Sequence, residues 1–176
     1  MNAPTFAADR PGVTAEPLLL LDIDGVINDV EAMMMVRLLG DGMEARAVEL
    51  GVDLLRSHGH LIAIPQYMPE LIGELVSRSE TWWCTTWRHR ANDEIAQHLG
   101  VGPFPAIDDG RGRAGLEWKI ESSRDLVEDA VGDGRPVVWI EDFNGELPDL
   151  DGVTYVDTGE RGVLRWSDVP LDVYGE

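Results

Sequence analysis

Only one cysteine, Cys84, and only one lysine, Lys119, occur in the chain. A single thiol excludes an intramolecular disulfide framework and fits a reducing compartment. Cys84 lies inside an apolar run beside Trp83. A reactive thiolate wants an electropositive setting, so Cys84 reads as a buried structural residue. No stretch approaches the roughly 20 apolar residues that span a bilayer, and no membrane partner is expected. Residues 1–16 lack the basic-then-apolar order of a signal peptide and read as a flexible tail, which points to a cytoplasmic protein. Basic residues are scarce as a class: 14 Lys and Arg stand against 33 Asp and Glu, a formal net charge of −19. Such a surface repels phosphate backbones at long range, so non-specific nucleic-acid binding is not expected. A phosphorylated small molecule, or a nucleic-acid end met by a local cation, remains compatible with it.

The chain is long enough for one domain with a real core. Leu18-Leu-Leu-Leu-Asp22-Ile23 is a continuous apolar run, as expected of a central parallel strand buried on both faces. Helical spacing follows in Glu31–Leu39 and Glu44–Leu55, and Leu61–Ile64 is a short strand ended by Pro65. Pro69 opens a helix over Glu70–Arg78 with Leu71, Ile72, Leu75 and Val76 on one face. Thr81–Thr86 reads as a second core strand, and Ala91–Leu99 as a helix stopped by Gly100. A weaker strand at Phe104–Ile107 precedes a polar loop and a helix over Trp118–Val131. Pro136–Ile140 and Gly152–Val156 are two further strands. Alternation of strands and helices predicts an α/β fold, a three-layer Rossmann-like parallel sheet with helices on both faces. Residues 17–176 form one domain in this reading, with a small flap or cap inserted around 29–60.

In an open parallel sheet, ligands bind outside the carboxyl ends of the strands. Three of the expected strands end in Asp22 and Asp24, in Thr85 and Thr86, and in Glu141 and Asp142. Two carboxylates one residue apart repel each other unless something neutralises them. A hard cation does so, and Mg²⁺ suits one or two carboxylates plus a substrate phosphate. A carboxylate can also attack phosphorus, and a second one nearby can exchange protons with the leaving oxygen and with water. An EF-hand is the competing reading of Asp22-Ile-Asp24-Gly25, but its twelfth position would be Met33 rather than a bidentate Glu.

Leu19-Leu-Leu-Asp22-Ile-Asp24-Gly25-Val26-Ile27-Asn28 resembles the first motif of the haloacid dehalogenase-like (HAD) superfamily of phosphatases and phosphotransferases. The resemblance implies that Asp22 is the nucleophile and Asp24 the general acid/base. It further implies that Mg²⁺ is held by the Asp22 carboxylate and the Asp24 carbonyl. Its later motifs are matched in order. Thr85, with Thr86 as the alternative, would bind the transferred phosphoryl group, Lys119 would neutralise it, and Glu141 and Asp142 would complete the metal site. Glu141 departs from the commoner Asp at its position, which favours Asp142 as direct ligand. Together, DxDGVxN, WxTxWxxxAN (Trp83, Thr85, Trp87, Ala91, Asn92) and the Trp-Ile-acid-Asp motif are similar to the HAD domain of Swiss Army Knife RNA repair proteins. That similarity implies a phosphorylated nucleic-acid end as one candidate substrate.

The expected activity is therefore a Mg²⁺-dependent phosphatase that works through an aspartyl phosphate. The competing expectations are an acidic binding module without activity and a phosphotransferase with an acceptor other than water. The tryptophans near the sheet read as core or crevice wall. Met33-Met-Met35 reads as packed within the cap. His58, His60, His89 and His98 show no metal-ligand spacing. Arg88 and Arg90 are either substrate-anion contacts or solvated loop residues. The short insertion between Asn28 and Gly59 leaves the site open, which suits a bulky substrate.

Overall fold

The structure, a computed structural model, describes residues 15–57 and 59–174. Most of the expected N-terminal tail and His58 lie outside them. Four parallel strands form the central sheet in the order β4-β1-β5-β6: β1 (Leu18–Leu21), β4 (Glu80–Trp83), β5 (Val137–Glu141) and β6 (Val153–Asp157). All four leucines of β1 are buried, because it is central and covered on both faces. Leu19 and Leu21 face one core, which holds Leu71, Ile72 and Leu75 of α3 (Met68–Val76) and Leu99 of α4 (Gln97–Leu99). Leu18 and Leu20 face the other, with Trp118, Val127 and Ala130 of α5 (Leu116–Gly132). The alternation is the period of two that a strand imposes. Each such buried leucine contributes about 1.5–3 kcal/mol, so the strand that carries Asp22 is anchored from both sides. Among the described residues no helix is long and apolar enough to cross a membrane.

The insertion between β1 and α3 differs from expectation in one element. Helices α1 (Val30–Arg37) and α2 (Met43–Leu50) form, but Val52–Ser57 is strand β2, not the end of a helix. Gly51 in the left-handed region (φ 67°) stops α2, and β2 pairs antiparallel with β3 (His60–Pro65). Val-Asp-Leu-Leu fits either helical spacing or a strand, and pairing with β3 decides between them. The hairpin is clamped from both sides. Ala63 and Val52 pack with Ala32, Val36 and Ala47 of the two helices, whereas Ile62 and Ile64 join the main core. Of the methionine run, Met33 packs against the cap's own core with Ala32 and Val36, as expected, whereas Met34 and Met35 are exposed. Phe104–Ile107 makes a single bridge, Trp83 to Ala106, rather than a strand. The segment before α4, Asn92–Ala96, is a π-helical turn.

Candidate functional site

Register places the site. Leu21 of β1 lies level with Trp83 of β4 and Ile140 of β5, so the chain leaves β1 at Asp22 beside Glu141. The Asp22 amide donates to the Ile140 carbonyl (3.1 Å). Lys119, in the first turn of α5, reaches into the same spot from the opposite layer. Its Nζ lies 3.2 Å from Asp22 Oδ1 and donates to both Glu141 oxygens at 2.8 and 2.6 Å. Asp22, Lys119 and Glu141 are each about 95% buried. Asp142, half-buried, closes the group: Asp22, Glu141 and Asp142 each offer a carboxylate oxygen, all within 4.8 Å of one another.

One ammonium cannot neutralise three carboxylates. Burial works against the charge on Lys119, but Asp22 and Glu141 outweigh it and raise its pKa. Burial also raises the pKa of Glu141, and the Asp22 carboxylate adds to this more than Lys119 offsets. Asp142 is raised for the same two reasons, burial first and Asp22 second. The cluster is thus short of positive charge. The donor set, three carboxylate oxygens opening on a crevice, suits a small hard cation. Glu141 is already engaged through both oxygens by Lys119, so Asp22 and Asp142 are the freer ligands.

The loop after β1 is shaped around this cluster. Gly25 adopts φ 74°, and a Cβ there would stand 2.8 Å from Asp142 Cβ and 2.9 Å from Asp142 Oδ2. Gly25→Ala should therefore displace Asp142. Left-handed strain of about 1–2 kcal/mol plus the overlap should lower Tm by about 4–8 °C. A Tm within 1 °C or so of the parent in a melting experiment would mean that the loop has room to spare. Thr158, fully buried just past β6, donates to the Gly25 carbonyl at 2.7 Å and ties the loop to the end of β5.

Asp24 sits at the edge of the crevice with both oxygens engaged. Asn28 Nδ2 donates to Oδ1 (2.8 Å) and the Trp87 indole N–H to Oδ2 (2.9 Å). Asn28 Oδ1 in turn accepts from the Ala63 amide of β3 (2.9 Å), which links Asp24 to the inserted hairpin. The two threonines part company. Thr85 is fully buried, and its hydroxyl oxygen accepts from the Trp87 amide at 3.3 Å. Thr86 is exposed and lines the crevice of about 510 Å³ with Asp22, Asp24, Lys119, Glu141 and Asp142. The end of the apolar run pointed to Thr85, but β4 ends at Trp83 and the chain bends at Thr85, which encloses that side chain and leaves Thr86, in the turn that follows, at the mouth.

Neighbouring residues hold the scaffold. Arg88 (φ 52°) donates to Asp108 (2.9 Å) and to the Arg113 carbonyl (2.9 Å) and lies 4.7 Å from the Trp118 ring centroid. It clasps the loop that leads into the helix of Lys119. Asn92 receives the Trp83 indole N–H (2.8 Å) and the Phe104 amide (2.8 Å), a structural role. Cys84 is buried, and burial pushes its thiol pKa well up, as a structural cysteine requires. Sequence reasoning missed Asn28 and Thr158 as site residues and gave Trp87 only as core or crevice wall, where it does line the cleft beside Asp24. Trp87 and Asn28 lie within the quoted motifs, where only their spacing was visible; Thr158 carries no local signal. No family model matches the chain, and no curated protein matches it in sequence.

Proposed function

We propose that the protein is a Mg²⁺-dependent phosphomonoesterase of the HAD type, acting through a phosphorylated Asp22. The observation that carries this reading is the meeting of Asp22, Lys119, Glu141 and Asp142 at the ends of adjacent strands, with Asp24 on the rim. In-line attack by an Asp22 oxygen on phosphorus forms the acyl phosphate and breaks the bond to the leaving oxygen, which takes a proton from Asp24. Asp24 then accepts a proton from the water that attacks phosphorus, and inorganic phosphate and free Asp22 result. Each Asp24 oxygen keeps a lone pair beyond those used by Asn28 and Trp87, so it can carry that proton while held in place. Lys119, fixed by Glu141, sets a positive charge against the phosphoryl oxygens, and the Thr86 hydroxyl donates to one of them; the lining of the crevice by Thr86 supports that role. Mg²⁺, when bound by Asp22 and Asp142, supplies the remaining charge neutralisation.

The experiment is turnover of p-nitrophenyl phosphate with and without chelator. Mg²⁺ should be required, and at 100-fold excess over its Kd it should add about 2.7 kcal/mol to folding stability, a melting shift that Asp142→Asn removes. Full activity in EDTA would sink the metal assignment. Absence of turnover with every phosphate ester would leave the acidic binding module standing instead. Phosphate release without an added acceptor separates hydrolysis from phosphotransfer.

A further inference from the structure

The crevice does not end at Asp24. Asp24 and Thr86 also line an adjoining cleft of about 230 Å³, walled by Met33, His60, Trp87 and Arg90. That cleft shares Met33, His60 and Leu61 with a third, about 400 Å³, lined by Arg37 and Arg56. The three form one track, from the strand ends across the inserted hairpin to the outer face of α1. Apart from Asp24, the linings of the second and third clefts contain no acidic residue, in a chain with 33 of them. Among the described residues, five arginines lack an ion pair, and three of those are Arg37, Arg56 and Arg90. Arg90 is held with its guanidinium carbon 5.9 Å from the Trp87 ring centroid, at the mouth of the second cleft.

We infer that this track is the leaving-group site and that the substrate is a phosphomonoester whose leaving group is extended and carries further anionic groups. The inference rests on the phosphatase reading for its direction. With Asp22 attacking in line and Asp24 protonating the leaving oxygen, the leaving group departs on the Asp24 side, into the cleft that Asp24 borders. The second cleft falls below the roughly 300–1,000 Å³ of a complete ligand pocket, so it takes one moiety and passes the rest outward. The arginines act at short range. Charges are screened within about 8 Å at physiological salt, so the net charge of −19 does not cancel a local row of three guanidinium groups. A single phosphate needs only Lys119 and the cation; a row of unpaired arginines beyond it matches anions spaced along a chain.

The test compares the parent with the triple variant Arg37→Gln/Arg56→Gln/Arg90→Gln on three substrates: p-nitrophenyl phosphate, a sugar bisphosphate, and a pentathymidylate with a terminal phosphate. On p-nitrophenyl phosphate the two proteins should agree. On an oligoanionic substrate kcat/KM should fall about tenfold in the triple variant, through KM rather than kcat. A fall confined to the oligonucleotide identifies a nucleic-acid end as the source of the anions; a fall shared with the bisphosphate identifies a small polyphosphorylated molecule. Equal kinetics on all three substrates, or an equal loss on all three, overturns the inference. Anisotropy of a fluorescent pentathymidylate phosphate on Asp22→Asn protein, with and without the arginine changes, reads the track without turnover. Arginine-dependent binding there supports the track even if the phosphatase reading has failed on p-nitrophenyl phosphate, and arginine-independent or absent binding counts against it.

Discussion

Asp22→Asn should abolish turnover of p-nitrophenyl phosphate, by at least about 10³-fold in kcat, while the protein stays folded. The carboxamide keeps the shape of the side chain but cannot form an acyl phosphate, so the route itself is lost and not merely its efficiency. A loss of 10³ corresponds to roughly 4 kcal/mol of transition-state stabilisation. The stability outcome separates this from general damage. Asp22 is one of three carboxylates served by one lysine, and it helps to raise the pKa of Glu141 and Asp142. Removing its charge relieves that crowding, while Lys119 keeps both bonds to Glu141. In metal-free buffer, Asp22→Asn should therefore melt no lower than the parent. Retained turnover would remove Asp22 from its role, and a large fall in Tm would show that its charge is needed for folding.

Lys119→Met should have the opposite profile, losing activity and stability together. The methionine fills the buried volume but leaves Glu141 and Asp22 about 95% buried with no cation between them. Removing one member of a buried pair costs about 3–5 kcal/mol, a large share of the 5–15 kcal/mol that holds a typical domain together. Denaturant unfolding should show that loss, and Mg²⁺ should recover part of it by supplying positive charge to the same carboxylates. Turnover should fall by about 10²–10³, as when one preorganised partner of a developing charge is lost. A variant as stable as the parent would mean that Glu141 is protonated or solvated in solution and that the ion pair is dispensable.

The inner strands of the parallel sheet were legible because a strand buried on both faces needs an unbroken apolar run, and Leu18–Leu21 and Val137–Ile140 supply it. The acids at the strand ends were legible for the complementary reason: only a chain turning towards solvent or an ion tolerates Asp22 and Asp24 straight after such a run. Strand β2 was not legible, because Val52–Leu55 suits two periods and only the partner strand chooses.

Sequence alone determined which side chains could do this chemistry, and where the chain would present them: one lysine, two acid pairs and two threonines at the ends of elements. Tertiary structure decided how they are arranged. It gave both Glu141 oxygens to Lys119, turned Thr85 inward and Thr86 outward, and aimed Trp87 and Asn28 at Asp24. It also brought the arginines of the insertion, far from Arg90 in the chain, onto one track. Local sequence encodes polarity and period. Which oxygen meets which proton depends on register and on the packing of distant layers, and no short stretch of chain contains those.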